Sequence, residues 1–280
     1  MSALIATPSL LLSTFEKAPG EARLLAMPEP GRKIMLKPTF KAAAAATFFL
    51  LIMLHAKIVG AGSFQVNPIR VDMSARVTTA ALTIRNDGDE PVVVQLSVLA
   101  WSQELGEDKY GATNEALVTP PIATIAAGAQ QIVRVGLRRP PDPRRELAFR
   151  LFLQEVPPPP KPDFNGLQVA LRVGLPVFVA PLAPSTRQLA WAAKIEPDGA
   201  IRLTVRNTGN THVQISDFEL RPSDSEVPVA HEAGLAYALA GESREWLLRS
   251  LTARGRTATE LRLKAITDAG EIEAVVKLER

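Results

Sequence analysis

LQVALRVGLPVFVAP, residues 167–181, places a large apolar side chain at every second position from Leu167 through Val169, Leu171 and Val173 to Leu175. Period two marks a β-strand with one apolar face. Gly174 and Pro176 interrupt the pattern, and Val177, Phe178 and Val179 form a second apolar run. Proline offers no backbone donor, so such a strand belongs at a sheet edge or a bend. An apolar edge strand invites pairing with another chain, and proteins normally cover or charge it. The stretch therefore asks what covers it. An ordinary core strand, packed inside its own sandwich, has the same periodicity and is the alternative.

Similar stretches recur along the chain. FQVNPIRVDM (64–73), AALTIRN (80–86), PVVVQLSVLAW (91–101), QQIVRVGLR (130–138) and LAFRLFLQEV (147–156) read as strands in the first half. QLAWAAKIE (188–196), AIRLTVRN (200–207), HVQISDFELR (212–221), TELRLKAITD (259–268) and EIEAVVKLE (271–279) do so in the second. Short strands separated by turn residues, with no long amphipathic run, predict an all-β protein. Two segments repeat: LTIRNDGDEPVVVQLSVL (82–99) and LTVRNTGNTHVQISDFEL (203–220) align without a gap. Each reads as a strand, an Asn-x-Gly turn that tolerates positive φ, and a second strand, so a hairpin is expected in each half. The repeat predicts two β-sandwich domains of one kind. PPPPKPDFNG (157–166) is a stiff connector, and APLAPSTR (180–187) is the expected interdomain link.

The N-terminal 61 residues differ in kind. They hold seven of the 32 Lys and Arg and three of the 29 Asp and Glu, leaving 25 basic and 26 acidic residues beyond them. The net charge of +3 therefore belongs to the leader, and no basic surface argues for a nucleic-acid partner. Lys33, Lys37 and Lys41 precede an apolar run, Ala42–Leu54, and Val59–Ala61 supplies small residues for cleavage. This is the pattern of a cleavable signal peptide. The run is short against the roughly 20 residues needed to span a membrane. Met35 opens a leader of ordinary length and is a candidate true start. The mature chain expected is 62–280, exported, with domains at 62–184 and 185–280.

Catalytic patterns are missing. Cysteine is absent, so no disulfide, thiol nucleophile or thiolate metal site exists. His212 and His231 lack partners at metal-ligand spacing and read as surface or turn histidines. No nucleophile elbow and no glycine-rich phosphate loop is present. Trp101, Trp191 and Trp246 fall on separate elements, against a sugar-binding aromatic cluster. The expectation is no enzyme, no cofactor, no metal and no catalytic residue.

Four local patterns occur in order instead. They are NPIRV (67–71), VTPPIATIAAGAQQIVRV (118–135), RRELAFRLFLQEVPP (144–158) and the stretch at 167–181. At these residues the sequence resembles the PapD-like periplasmic chaperones of the chaperone–usher pathway. The resemblance is strong over 64–181 and rests on size and the internal repeat over 185–280. It implies two immunoglobulin-like β-sandwich domains in a boomerang arrangement behind the signal peptide. It also implies a periplasmic chaperone of pilus or fimbrial subunits that delivers them to an outer-membrane usher, without ATP or metal. The donated strand, about 167–175, would present Leu167, Val169, Leu171 and Val173 to the subunit. Burying four such side chains is worth on the order of 6–12 kcal/mol before ordering costs. The subunit's C-terminal carboxylate would be held by Arg70, whose planar fork suits a carboxylate. The family's lysine partner aligns with Pro176, and Arg172 and Arg187 are the candidates to replace it. That departure, with the PVFV ending, suggests an archaic-type branch. The exposed strand also raises self-association of the free protein. A secreted structural adhesin or pilus component of Ig-like fold is the alternative, which would place an alternating donor extension ahead of its first domain.

Overall fold

The computed structural model describes residues 64–159, 169–249 and 258–280, with no helix among them. The leader, Leu167 with most of the proline-rich connector, and 250–257 lie outside the described residues.

The first sandwich holds β1 (Phe64–Asn67), β2 (Val71–Met73), β3 (Thr79–Asn86), β4 (Val92–Glu104), β5 (Glu107–Ala112), β6 (Ala116–Thr119), β7 (Ile122–Ile125), β8 (Gln130–Leu137), β9 (Leu147–Val156) and β10 (Arg172–Val179). One sheet runs β1-β3-β8-β6 and the other β2-β10-β9-β4-β5, with β7 also on β4. Between them Ile84, Val94, Val133, Val135, Leu151, Leu153, Val177 and Val179 are fully buried. The alternation read from the sequence is what puts these side chains on the two facing surfaces.

The second sandwich holds β11 (Leu189–Ile195), β12 (Ile201–Asn207), β13 (Val213–Pro222), β14 (Ala230–Ala238), β15 (Ser243–Leu248), β16 (Glu260–Thr267) and β17 (Gly270–Glu279). They form one continuous order, β14-β13-β16-β17-β11-β12-β15, packed around Ile201, Leu203, Val205, Leu220 and Leu261. Trp191 and Trp246, expected apart, stack at 6.3 Å and pack on this core beside Phe218.

Two expectations are corrected. FQVNPIRVDM is two strands, not one. β1 pairs antiparallel with β3, whereas β2 pairs parallel with β10 in the opposite sheet. Pro68 sits at the crossing, where its missing N–H breaks the first ladder. The Asn-x-Gly segments are not hairpins either. β3 and β4 lie in opposite sheets of the first sandwich, and β12 and β13 do not pair with each other. Neither Gly88 nor Gly209 carries a positive φ. The asparagine makes the turn: Gly88 N–H donates to Asn86 Oδ1 and Gly209 N–H to Asn207 Oδ1, at 2.9 Å each. Asn86 Nδ2 then donates to the carbonyls of Glu90 and Ile125, and Asn207 Nδ2 to those of Thr211 and Ala238. Both asparagines are buried, so each crossing is satisfied internally.

Strands β5, β6, β7, β14 and β15 escaped the sequence reading. β5, EDKYGA, is an exposed edge strand, so no alternation of burial shaped its sequence.

Candidate functional site

Gly174 and Pro176 do not break β10. They lie inside one strand that pairs with β9 throughout, from Arg172↔Gln154 to Val179↔Leu147. Glu155 N–H donates to Leu171 O, so odd-numbered residues of this strand direct their backbone groups at β9. Even-numbered residues point the other way, as Ala180 N–H to Met73 O on β2 confirms. The N–H that Pro176 lacks would therefore face away from β9, and the ladder loses nothing.

On that far side β10 is only half covered. β2 pairs with Val177–Val179 alone. The backbone of Arg172–Pro176 has no strand beside it among the described residues. The side chains divide at the same level. Leu175 is 5% exposed and packs in the sandwich core. Val173 is half-buried at the margin, and Leu171 and Val169 are 40% and 73% exposed. Leu175 and Val173 share one face of β10, and the sequence alternation continues through Leu171 and Val169. The first sandwich thus fills the C-terminal end of this face and leaves the N-terminal end bare. The core-strand alternative holds for Leu175, Val177 and Val179, and not for Val169 and Leu171. Regular pairing starts at Arg172, and residues 169–171 lie before the strand.

Arg70 immediately precedes β2 and so lies level with Pro176, at the point where the open edge ends. Its Nε donates to Asp72 Oδ2 at 2.9 Å. Burial works against the charge, but the hydrogen bond and charge of Asp72 prevail and hold its pKa above the ordinary arginine value. Across the strand Pro176 pairs with Arg150. Arg70, Pro176 and Arg150 therefore stand in one row on the outward face. Arg150 lies 4.7 Å over the Trp101 ring, its Nε is buried without a hydrogen-bond partner, and it has no ion pair among the described residues. Burial raises the pKa of the nearby Tyr237 phenol, while the charges of Arg150 and Arg70 pull it down.

Sequence reasoning missed Arg150. Its signal is the F-R-L-F-L alternation of β9, which puts Arg150 on the face opposite the core residues Phe149 and Leu151. Pairing it with Pro176 needs the register. The two arginines nominated from sequence are not beside Arg70 in this row. Arg172 stands four residues before Pro176, about 13 Å along the strand, with its guanidinium 4.3 Å over the Phe152 ring. Arg187 reaches Asp268 at 3.9 Å.

The same face continues into the junction between the sandwiches. Trp101, Phe178, Tyr237 and Leu239 form a buried cluster. Gln103 crosses it, donating to Tyr237 O at 2.7 Å and accepting from Leu239 N–H at 3.0 Å. His212 is not a surface histidine. It is buried, stacks flat on Phe178, and meets Glu146 Oε2 through both Nδ1 at 2.7 Å and its backbone N–H at 2.8 Å. Isolated in sequence, it looks idle, and its partner is 66 residues away. His231 is half-exposed and pairs with Asp217 at 2.9 Å.

Residues 63–184 match the family described as pili and flagellar-assembly chaperone, PapD N-terminal domain. The chaperone protein PapD of Escherichia coli is 32% identical over 112 residues, 38% of this chain and 44% of that protein, so the aligned part spans under half of the curated relative. A solved CsuC–CsuE chaperone–tip subunit pre-assembly complex from the archaic chaperone–usher Csu pili of Acinetobacter baumannii superposes with a TM-score of 0.59 at 20% identity. It covers 78% of this chain and 100% of that one. The Escherichia coli chaperone DraB gives 0.53 at 24% identity, covering 77% and 97%. These two likenesses establish a shared two-sandwich fold. Residues 63–184 thus resemble the N-terminal domain of the PapD-like pilus-assembly chaperones, and the fold of both sandwiches is that of the solved chaperones.

Proposed function

We propose that this protein is a periplasmic chaperone that lends the open edge of β10 to a pilus subunit and passes the subunit to an outer-membrane usher. One observation carries the reading: an unpaired strand edge, Arg172–Pro176, continuous with the exposed apolar side chains Val169 and Leu171. An unpaired edge beside exposed apolar side chains is a template for strand addition. In a one-chain fold it is a liability, and a client strand removes it.

The edge also dictates which end of the client lies where. A strand laid along Arg172–Pro176 meets β2, which occupies the edge from Val177 onward. It must stop there or turn away. The residue at that stop is Arg70, and a guanidinium favours a carboxylate over an ammonium. A client strand running parallel to β10 and ending at Pro176 satisfies both constraints. Arg150 supplies the second cation that Pro176 cannot, so the C-terminal carboxylate anchor is Arg70 with Arg150. Leu167, Val169, Leu171 and Val173 are the side chains offered to the client's core.

Delivery to the periplasm rests on the leader, read as a cleavable signal peptide, and the chaperone domains are divided at 184/185. The protein performs no bond chemistry in this reading. The test is co-expression of the full-length chain with a candidate pilin, followed by affinity capture from the periplasm. The wild type should retain the pilin as a soluble 1:1 complex, and Val169→Asp with Leu171→Asp should be folded and empty. A folded double variant that still holds the pilin would overturn the reading.

A further inference from the structure

The row of β10 that carries Arg172 has a chemistry the anchor does not use. Arg172 is exposed and has no ion pair among the described residues. Its guanidinium lies over Phe152, and Phe152 meets Tyr110 edge-on at 5.2 Å. Cross-strand pairs put Gln154 beside Arg172 and Phe152 beside Gly174. Gly174 has a structural reason here. A Cβ on it would come within 3.0 Å of Phe152 Cε1 and of Arg150 Nε, so the missing side chain lets both lie against β10. The result is a cation held on an aromatic plate, at the margin of an open edge. The outward-facing neighbours of Arg172 on β9 and β10, Gln154, Phe152, Arg150 and Gly174, include no carboxylate; Asp108 on β5 is engaged by Arg244 and Gln103, and Glu155 Oε2 accepts from Leu171 N–H at 3.2 Å.

A strand added to that edge cannot avoid this cation. Residues opposite each other in neighbouring strands project from the same face. The client residue level with Arg172 therefore projects outward beside its guanidinium, while residues level with Leu171 and Val173 project to the apolar side. Resting on the proposed strand donation, we propose that Arg172, stacked on Phe152, is a specificity residue that selects an acidic side chain on the client strand. The client position is the fifth residue from the C-terminus, since Arg172 stands four positions before the anchor at Pro176. The acceptor is a carboxylate side chain because the cation is already desolvated on one face by the ring and has no internal counter-ion.

The experiment uses the full-length chain and synthetic nine-residue peptides. Each alternates valine with threonine, ends in a free carboxylate, and carries Asp, Asn or Lys at the fifth residue from that end. A further Asp peptide ends in an amide. Affinities are measured by fluorescence anisotropy at low and high salt. The Asp peptide should bind about two- to fivefold more tightly than the Asn peptide at low salt, the span of an exposed ion pair. Lys should be weaker still, and high salt should erase the differences. Arg172→Gln should level the three, while Arg172→Lys should restore part of the preference. The amide peptide should lose affinity for the wild type and for Arg172→Gln alike. Equal binding of Asp and Asn by the wild type, with the amide penalty intact, would overturn the subsite and leave strand donation standing. Binding that ignores both the amide and Val169→Asp would overturn strand donation itself.

Discussion

The His212 ring lies flat on the Phe178 ring, 3.6 Å between centroids and 11° between planes. Phe178 belongs to β10, two residues beyond Pro176, and His212 immediately precedes β13 in the second sandwich. The strand with the open edge is thereby clamped to the other domain. Glu146 completes the clamp. It is buried and accepts from the His212 backbone while facing the ring nitrogen. Replacing Glu146 with Ala strands a buried donor and should cost about 1–3 kcal/mol in urea unfolding. Glu146→Gln keeps an acceptor and should lose less. Equal losses would show that charge, not hydrogen bonding, holds the junction.

Asn86 and Asn207 should be the most sensitive polar positions of the two sandwiches. Each serves two carbonyls and one N–H from a buried site. Asn207→Ala or Asn86→Ala leaves several backbone groups unsatisfied, and a loss of about 2–4 kcal/mol is expected. Chemical denaturation of each variant checks this, and Asn→Asp should not rescue, because a carboxylate donates nothing to the carbonyls.

Gly209 is required by contact, not by φ. A Cβ there would collide with the carbonyl oxygen of Thr186 in the interdomain link. Asn210 N–H, Asn210 Oδ1 and Thr211 N–H also bind Thr186. Gly209→Ala should push the link away and lower the melting temperature by several degrees. The same change at Gly234, where nothing lies nearby, should be nearly silent.

The division of the β10 face predicts opposite outcomes from one chemical change. Leu175→Asp puts a charge into a core position that is 5% exposed and should prevent folding. Val169→Asp, at a residue 73% exposed, should leave the melting temperature within about a degree and abolish capture of a pilin. Circular dichroism and co-purification separate the two effects.

Arg70→Ala and Arg150→Ala should each weaken capture of a peptide with a free C-terminal carboxylate, by about tenfold or more. They should matter little for the amidated peptide. Anisotropy titrations with both peptides check the pairing. An Arg150→Ala variant that discriminates as the wild type does would remove Arg150 from the anchor.

Much of this protein was determined locally. The bounds of β9 match the sequence reading residue for residue, because Phe149, Leu151 and Leu153 alternate into the core and keep the strand regular. The repeated Leu-Thr-x-Arg-Asn-x-Gly segment announced two domains of one kind, because the same buried asparagine is needed wherever the chain crosses between sheets. Val169 and Leu171 were legible as apolar edge residues, and Arg70 as a basic residue in its motif. Tertiary structure decided the rest. Periodicity is identical for Leu171 and Leu175, and only the extent of the facing sheet exposes one and buries the other. Whether β10 keeps an open edge depends on how far β2 runs along it. Arg150 comes beside Pro176, and His212 beside Glu146, through strand register and domain packing that join residues 26 to 66 positions apart. Local sequence sets which way a side chain points, but what it meets is set by the neighbour that register and packing bring to it.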